Sequence, residues 1–392
     1  MTEAQDAHTE SAWASAQALW RQRSRLLKGS VSRERLVGLE NRLLADLWRL
    51  SQTTEPTLAG SEHLVLTTAV RVLGKTPVNA LVTELLGEKL EDHADDLWSM
   101  IGLLGKGVWQ PVLAALANEP ECPATLRWQL LGFVPDLVPF NAAPPLPDSF
   151  TPDSLLPGQI RYAAHQGHWQ ATDIARTWPL DAPAPGFEPD LSALILAVHR
   201  EQPQQAAALV NRALASDLAN PLVLAWAAAL ALPEAAIPLQ QGFTEGTVDA
   251  RLLVVHGHAN HLDFCLALLE QPRTNALGAG LWQSLTAETL PQVARLSVVG
   301  ENPGKAAANK DPDTLADAGS ARAALERFHA EWPARQHRVR QPEQVKRVIS
   351  ARFGRDMTVW ELAYQMQHPQ VALSATQSVW VRLAQLNAVE AI

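Results

Sequence analysis

Three histidines fall within six residues at His256-Gly-His-Ala-Asn-His261, directly after the apolar run Leu252-Leu-Val-Val255. Neutral imidazoles are good zinc ligands, and three near one turn could hold an ion that activates water for hydrolysis. The spacing nearly spells the H-x-H-x-D-H motif of zinc-dependent hydrolases. Asn260, however, stands where that motif needs an acidic residue, so a carboxylate ligand or base is missing. The flanking sequence is rich in Ala and Leu and reads as helix rather than strand. Two readings of His256, His258 and His261 follow: a zinc-dependent hydrolase site, or a turn inside a helical repeat. The residues favour the turn. No metal ligand, cofactor or catalytic residue is assigned, and the chain is read as non-enzymatic.

Other chemical signatures are near misses. Gly74-Lys-Thr76 has Ala69 where a phosphate-binding loop needs its first glycine, and Gly300-Glu-Asn-Pro-Gly-Lys305 has three residues between its glycines and Ala306 after its lysine. Neither supplies the full cradle of backbone N–H groups that phosphate needs. The sequence contains no G-x-S-x-G, H-E-x-x-H or C-x-x-C. Its two cysteines, Cys122 and Cys265, cannot build a disulfide framework and suit a reducing compartment.

Charge is more informative. The chain carries −9 overall, which disfavours nucleic acid as a partner. Residues 21–50 carry +5 and residues 331–355 another +5, leaving −19 for the remainder. Such segments either dock on the acidic body of the same molecule or present a contact surface to an acidic protein. The second segment nominates Arg335, Arg338, Arg340, Lys346, Arg347 and Arg352 as partner-binding residues. Met1 to Asp6 show neither the basic nor the apolar part of a secretory signal, and the longest apolar run, Leu222 to Leu232, is too short to span a bilayer. A cytoplasmic protein without a membrane span is expected.

The elements that must position these residues are helices. Ala and Leu dominate, Tyr occurs only at Tyr162 and Tyr364, and alternating β-branched runs are nearly absent. Thirteen tryptophans read mainly as wedges between helices. A stripe of Leu36, Leu39, Leu43, Leu44, Leu47 and Leu50 makes an amphipathic helix that Ser32 could cap and that ends near Thr53-Thr-Glu-Pro56. From His63 the chain repeats. Val72 to Leu86 aligns with Leu103 to Ala117 at an offset of 31, Gly74 on Gly105 and Leu81, Val82 and Leu85 on Val112, Leu113 and Leu116. The unit returns with Gly105 falling on Gly257 and Leu116 on Leu268, so the three histidines lie at its turn. Weaker copies are read at 191–214 and 221–241, and Gly167-His-Trp-Gln170 could open another. Each unit is two helices around a break, too small to bury its apolar face unless units stack.

The expected architecture is all-α: a right-handed α-solenoid of about five or six stacked hairpins with helical caps at both ends. Residues 1–58 are the N-terminal cap, 59–140 the first repeats, and 141–158 a proline-rich linker. Residues 159–299 hold further repeats, 300–319 a loop, and 320–392 the C-terminal cap.

The run Arg33 to Leu50, the two Leu-Gly units at 72–86 and 103–117, and Arg251 to Leu285 resemble a family of bacterial proteins built on HEAT-like repeats. Genes of that family are associated with type VI secretion clusters. The resemblance implies a protein-binding scaffold: an accessory, adaptor or chaperone-like component for a secretion effector or spike protein. An immunity-type inhibitor would share that architecture. The resemblance implies no catalytic residues, and residues 159–245 depart from HEAT spacing.

Overall fold

The computed structural model describes residues 2–52, 64–87, 93–134, 136–137, 156–166, 170–177, 188–216, 220–294, 314–368, 371, 373–374 and 377–389. It is mostly helical, with four strands of two or three residues among those described. The chain forms two compact units, Met1–Ser216 with Lys346–Ile392, and Asp217–Val345. The division falls inside the span 159–299 read as one set of repeats, and again inside the segment 320–392 read as one cap.

In the first unit, α1 (Thr2–Leu27), α2 (Arg33–Ser51), α3 (Leu64–Leu73), α4 (Val78–Gly87), α5 (Ala94–Leu104) and α6 (Lys106–Asn118) follow one another. After them come α7 (Ala124–Phe133), α8 (Gln159–Gln166), α9 (Ala171–Thr177), α10 (Glu188–Glu201) and α11 (Pro203–Ser216). Packing largely follows chain order: α1 on α2, α2 on α3, α3 on α5, α4 and α5 on α6, then α6 on α7, α7 on α8 and α8 on α10. The positions that coincide in the repeat, Leu81 with Val112, Val82 with Leu113 and Leu85 with Leu116, are buried in both copies. Each such side chain contributes about 1.5–3 kcal/mol by leaving water. The leucine stripe of α2 is buried as read, except that Leu44 is half-buried. Ser32 occupies the N-cap position of α2, but its side chain makes no capping bond. It is held instead in a two-residue strand β1 (Val31–Ser32).

That strand pairs antiparallel with β4 (Arg352–Phe353), Val31 opposite Phe353 and Ser32 opposite Arg352. Helix α19 (Thr358–Gln367) packs on α10, and α20 (Val379–Ala388) packs on α2. Strand β4 and α20 therefore close on β1 and α2, and α19 on α10, within the first unit rather than as a separate cap. Ion pairs explain why. Arg23 Nε donates to Glu40 Oε1 at 2.9 Å and Arg23 Nη1 to Ser99 Oγ at 3.1 Å, all three residues being buried. Glu40 Oε2 accepts from the Val379 N–H at 3.0 Å, so one buried carboxylate ties α1 to the start of α20. A second buried pair joins Arg382 Nη2 to Glu361 Oε1 at 2.5 Å, and Arg382 stacks on Phe353.

The second unit holds α12 (Pro221–Ala229), α13 (Ala236–Glu245), α14 (Ala250–His256), α15 (Asn260–Leu269), α16 (Asn275–Thr286) and α17 (Ala318–Val339). Helix α18 (Pro342–Ala351) begins in this unit and continues into the first. Part of the span 300–319 read as loop is ordered differently: β3 (Thr314–Ala316) pairs with β2 (Gln292–Ala294), and α17 starts at Ala318. Asn275 is the reason. Its amide donates to Ala316 O at 2.9 Å and accepts from Ala316 N at 2.7 Å, while Asp317 caps α17 through Gly319 N at 2.9 Å. The rest of that loop, most of the linker 141–158, the stop at 53–56 and the break at 167–169 lie outside the described residues.

Candidate functional site

The second unit gathers its polar chemistry at the turn between α14 and α15. Asp249 caps α14 through Arg251 N at 2.8 Å, and Gly257 ends it in the left-handed conformation at φ 68°. That reversal brings the start of α15 back to the end of α14; Gly105, its counterpart in the repeat, also has a positive φ (87°) but an extended ψ of 146°. His256, on the last residue of one helix, thereby meets His261 on the first turn of the next.

The two rings form a hydrogen-bonded chain whose direction its ends fix. His256 Nε2 lies 2.7 Å from Leu232 O, and a carbonyl can only accept, so Nε2 carries the hydrogen. His256 Nδ1, 2.8 Å from His261 Nε2, is then the acceptor. His261 Nδ1 in turn accepts from Gln240 Nε2 at 3.2 Å. Every ring nitrogen is used while both rings stay neutral. Burial holds them so, with smaller contributions from His258 and Arg340: His256 is lowered to about 4. His261, with His256 and His258 beside it, is lowered to about 3 by burial. His258 is half-buried, stacks 5.8 Å from the His256 ring, and accepts from Asn260 N at 3.3 Å.

The structure does bring the three histidines together, yet the set does not fit zinc. Tetrahedral ligand nitrogens at bond lengths of about 2.0–2.1 Å stand roughly 3.3 Å apart. The His256 and His261 nitrogens are at hydrogen-bond separation, and each ring's other nitrogen is spent on a protein group. Among the described residues no group of three His, Cys, Asp or Glu is placed to hold a metal ion. Cys265 on α15 is no nucleophile either. Burial pushes its thiol up to about 12, and the Sγ donates to Gly278 O at 3.1 Å.

Arg340, one of the six nominated cations, seals this turn from above. Its Nη2 donates to Val255 O at 2.6 Å, His256 O at 3.3 Å and Ala228 O at 3.2 Å, and its Nη1 to Ala229 O at 3.3 Å. These are the last carbonyls of α12 and α14, the negative ends of both helices, and a guanidinium fork suits them. Trp332 Nε1 adds a bond to Gly257 O at 2.8 Å.

The other five nominated residues divide. Arg335 donates to Thr286 O and lies over the Phe328 ring, so it too is engaged within the second unit. Arg338 of the second unit is exposed. In the first unit Lys346 is half-buried, Arg347 is exposed, and Arg352 is exposed with Nη1 3.4 Å from Ser30 Oγ. Gly74-Lys-Thr76 forms the C-terminal turn of α3, where Thr76 N bonds back to Arg71 O at 3.0 Å, and Gly300–Lys305 lies outside the described residues.

Sequence reasoning missed two groups. Glu40 falls on the edge of the leucine face of α2, which could have signalled a buried carboxylate. Trp48 lies off that face. With most described tryptophans buried, Trp48 and Trp380 stand out as 58% and 51% exposed. Comparisons with protein-family models, curated proteins and solved structures give no match. Among the described residues no helix is long and apolar enough to cross a membrane.

Proposed function

We propose that this chain is a non-enzymatic scaffold, an α-solenoid of HEAT-like hairpins that binds another protein. Its role would be that of an accessory, adaptor or chaperone-like component for a type VI secretion effector or spike protein. The observation that supports this reading is that α1 to α11 of the first unit pack largely on near neighbours in chain order. Arrays so built present long rows of helix surface, and such rows recognise proteins. The engagement of His256, His261 and Arg340 in structural hydrogen bonds, rather than in an open cleft, favours the same reading over a zinc-dependent hydrolase.

Affinity capture with the tagged full chain in its native bacterium, read by mass spectrometry, tests it. A stoichiometric secretion effector or spike component supports the reading. Capture that yields no such component, or stoichiometric zinc lost on alanine replacement of His256, His258 and His261, overturns it. Arg338→Glu and Arg347→Glu, made separately, should weaken capture while leaving the thermal midpoint nearly unchanged, because both side chains are exposed.

A further inference from the structure

Helix α2 buries its leucine face against its neighbours in the first unit and leaves its opposite face open. Taking 100° per residue, that open face has three lanes. Arg35, Arg42 and Arg49 form one edge, a heptad apart and so about 10.5 Å from one to the next. All three are exposed, and among the described residues none has an acidic partner. Gly38 and Ala45 run down the middle, both exposed, with open space where a Gly38 side chain would stand. Glu34, Asn41 and Trp48 form the other edge, a heptad apart and all exposed, so the face carries three arginines against one carboxylate at its N-terminal end. Trp380, from α20, is tethered there: its Nε1 donates to Asn41 Oδ1 at 3.2 Å, while half of the residue stays in water.

Single exposed apolar residues need no explanation. Here Trp48 of α2 and Trp380 of α20, both about half-exposed, flank a face that also carries a row of arginines, and Trp and Arg are among the residues most enriched at protein-binding hot spots. We infer that this face of α2 with Trp380 docks an acidic amphipathic helix of a partner protein, its carboxylates facing Arg35, Arg42 and Arg49 and its apolar side chains facing Trp48 and Trp380. The inference rests on the scaffold reading above and names the partner's chemistry. Charge complementarity selects this occupant. Cations one heptad apart match acidic positions one heptad apart on a facing helix, as in flanking pairs of coiled coils. The shallow middle lane admits a helix backbone, and the aromatic edge supplies the anchor. A nucleic acid fits less well, because the row is single file and the whole chain is acidic at −9.

The probe is a labelled helical peptide with one glutamate and one leucine per heptad, titrated by fluorescence anisotropy against the full chain. A copy with lysine for glutamate and a single-stranded oligonucleotide are the controls. The glutamate peptide should bind, more weakly as salt rises. The Arg35→Glu, Arg42→Glu, Arg49→Glu triple variant should lose about tenfold or more for that peptide and gain affinity for the lysine copy, a reversal that loss of folding could not mimic. Trp48→Gln should weaken the glutamate peptide about tenfold, and Trp380→Gln likewise, with unchanged circular dichroism. Four results overturn the inference: no binding of the glutamate peptide, equal binding of the lysine copy, equal binding of the oligonucleotide, or concentration-dependent self-association that these variants abolish. None of these bears on whether a secretion component is captured. Conversely, capture of such a component that the triple and tryptophan variants leave intact removes this face and keeps the scaffold.

Discussion

His261 donates a hydrogen bond from Nε2 to Nδ1 of His256 across 2.8 Å, and both rings are buried. Two adjacent imidazoles in a dry turn cannot both accept protons cheaply. Among the described residues neither ring is hydrogen-bonded to a carboxylate; their outer contacts are a carbonyl and an amide. Protonating His256 would place a charge beside the Arg340 fork and force its Nδ1 from acceptor to donor, against the His261 Nε2–H. The pair is thus stable only as a neutral, singly directed chain.

A pH dependence follows. Both histidines titrate near 6.5 when unfolded and near 4 and 3 when folded, burial being the main cause. The unfolded chain therefore binds more protons below about pH 6.5, and stability falls as pH drops from there toward the folded values. It is full above that range and levels off below it. By pH 4.5 the combined loss should be on the order of 5 kcal/mol. Hydrogen exchange of residues 250–270 between pH 7.5 and 4.5 should show protection falling with acid, and a His256→Gln, His261→Leu chain should flatten the slope. A slope unchanged in that variant would contradict the assignment.

Arg340→Ala should destabilise the second unit by about 2–4 kcal/mol, since it strips a half-buried guanidinium from the last carbonyls of α12 and α14. Arg340→Lys should recover only part, because one ammonium cannot span carbonyls of two helices. Denaturant unfolding followed through the same exchange peptides measures both. Arg340 also lowers His256, so NMR titration of Arg340→Ala should move the His256 pKa upward.

The helices and their breaks were legible because apolar periodicity and glycine position are local signals. Leu81, Val82 and Leu85, their copies at 112, 113 and 116, and the positive-φ glycines at 105 and 257 stand at matching positions of the repeat. The histidine turn was legible as a turn for the same reason. What each cation touches is not a local property. Arg338 and Arg340 look alike in sequence, yet one is exposed and the other is held by carbonyls some 84 to 112 residues earlier in the chain. The closure of residues 346–392 on the N-terminal helices depends on Glu40 reaching Val379, separated by 339 residues, and nothing near either residue announces it.

That closure gives a further prediction. Glu40→Ala leaves Arg23 buried without its carboxylate and strips the Val379 N–H of its acceptor, so it should cost about 3–5 kcal/mol. Replacing both ends, Arg23→Met with Glu40→Leu, should cost much less, the remaining loss being about 1–3 kcal/mol for the orphaned Val379 N–H. Chemical unfolding of the wild type, the single and the double variant forms the comparison. A double variant as unstable as the single one would mean that the pair is valued for something other than charge compensation.

The turn that carries the histidines also has a steric lock. Gly257 sits at φ 68°, and a Cβ placed there would stand 1.9 Å from Gln336 Oε1 on α17. Gly257→Ala therefore meets two separate costs. The left-handed backbone costs an alanine about 1–2 kcal/mol wherever it occurs, while the clash can be relieved by moving or removing the glutamine. A double-mutant cycle separates them. Gly257→Ala alone should lower stability by about 2–4 kcal/mol and loosen Trp332, whose indole is bonded to Gly257 O. Gln336→Ala alone should cost little, its side chain being half-buried. Combined, they should recover the steric part and retain the backbone part, giving a coupling energy of about 1–2 kcal/mol. No coupling would show that Gln336 swings aside freely and that α17 does not lock the turn.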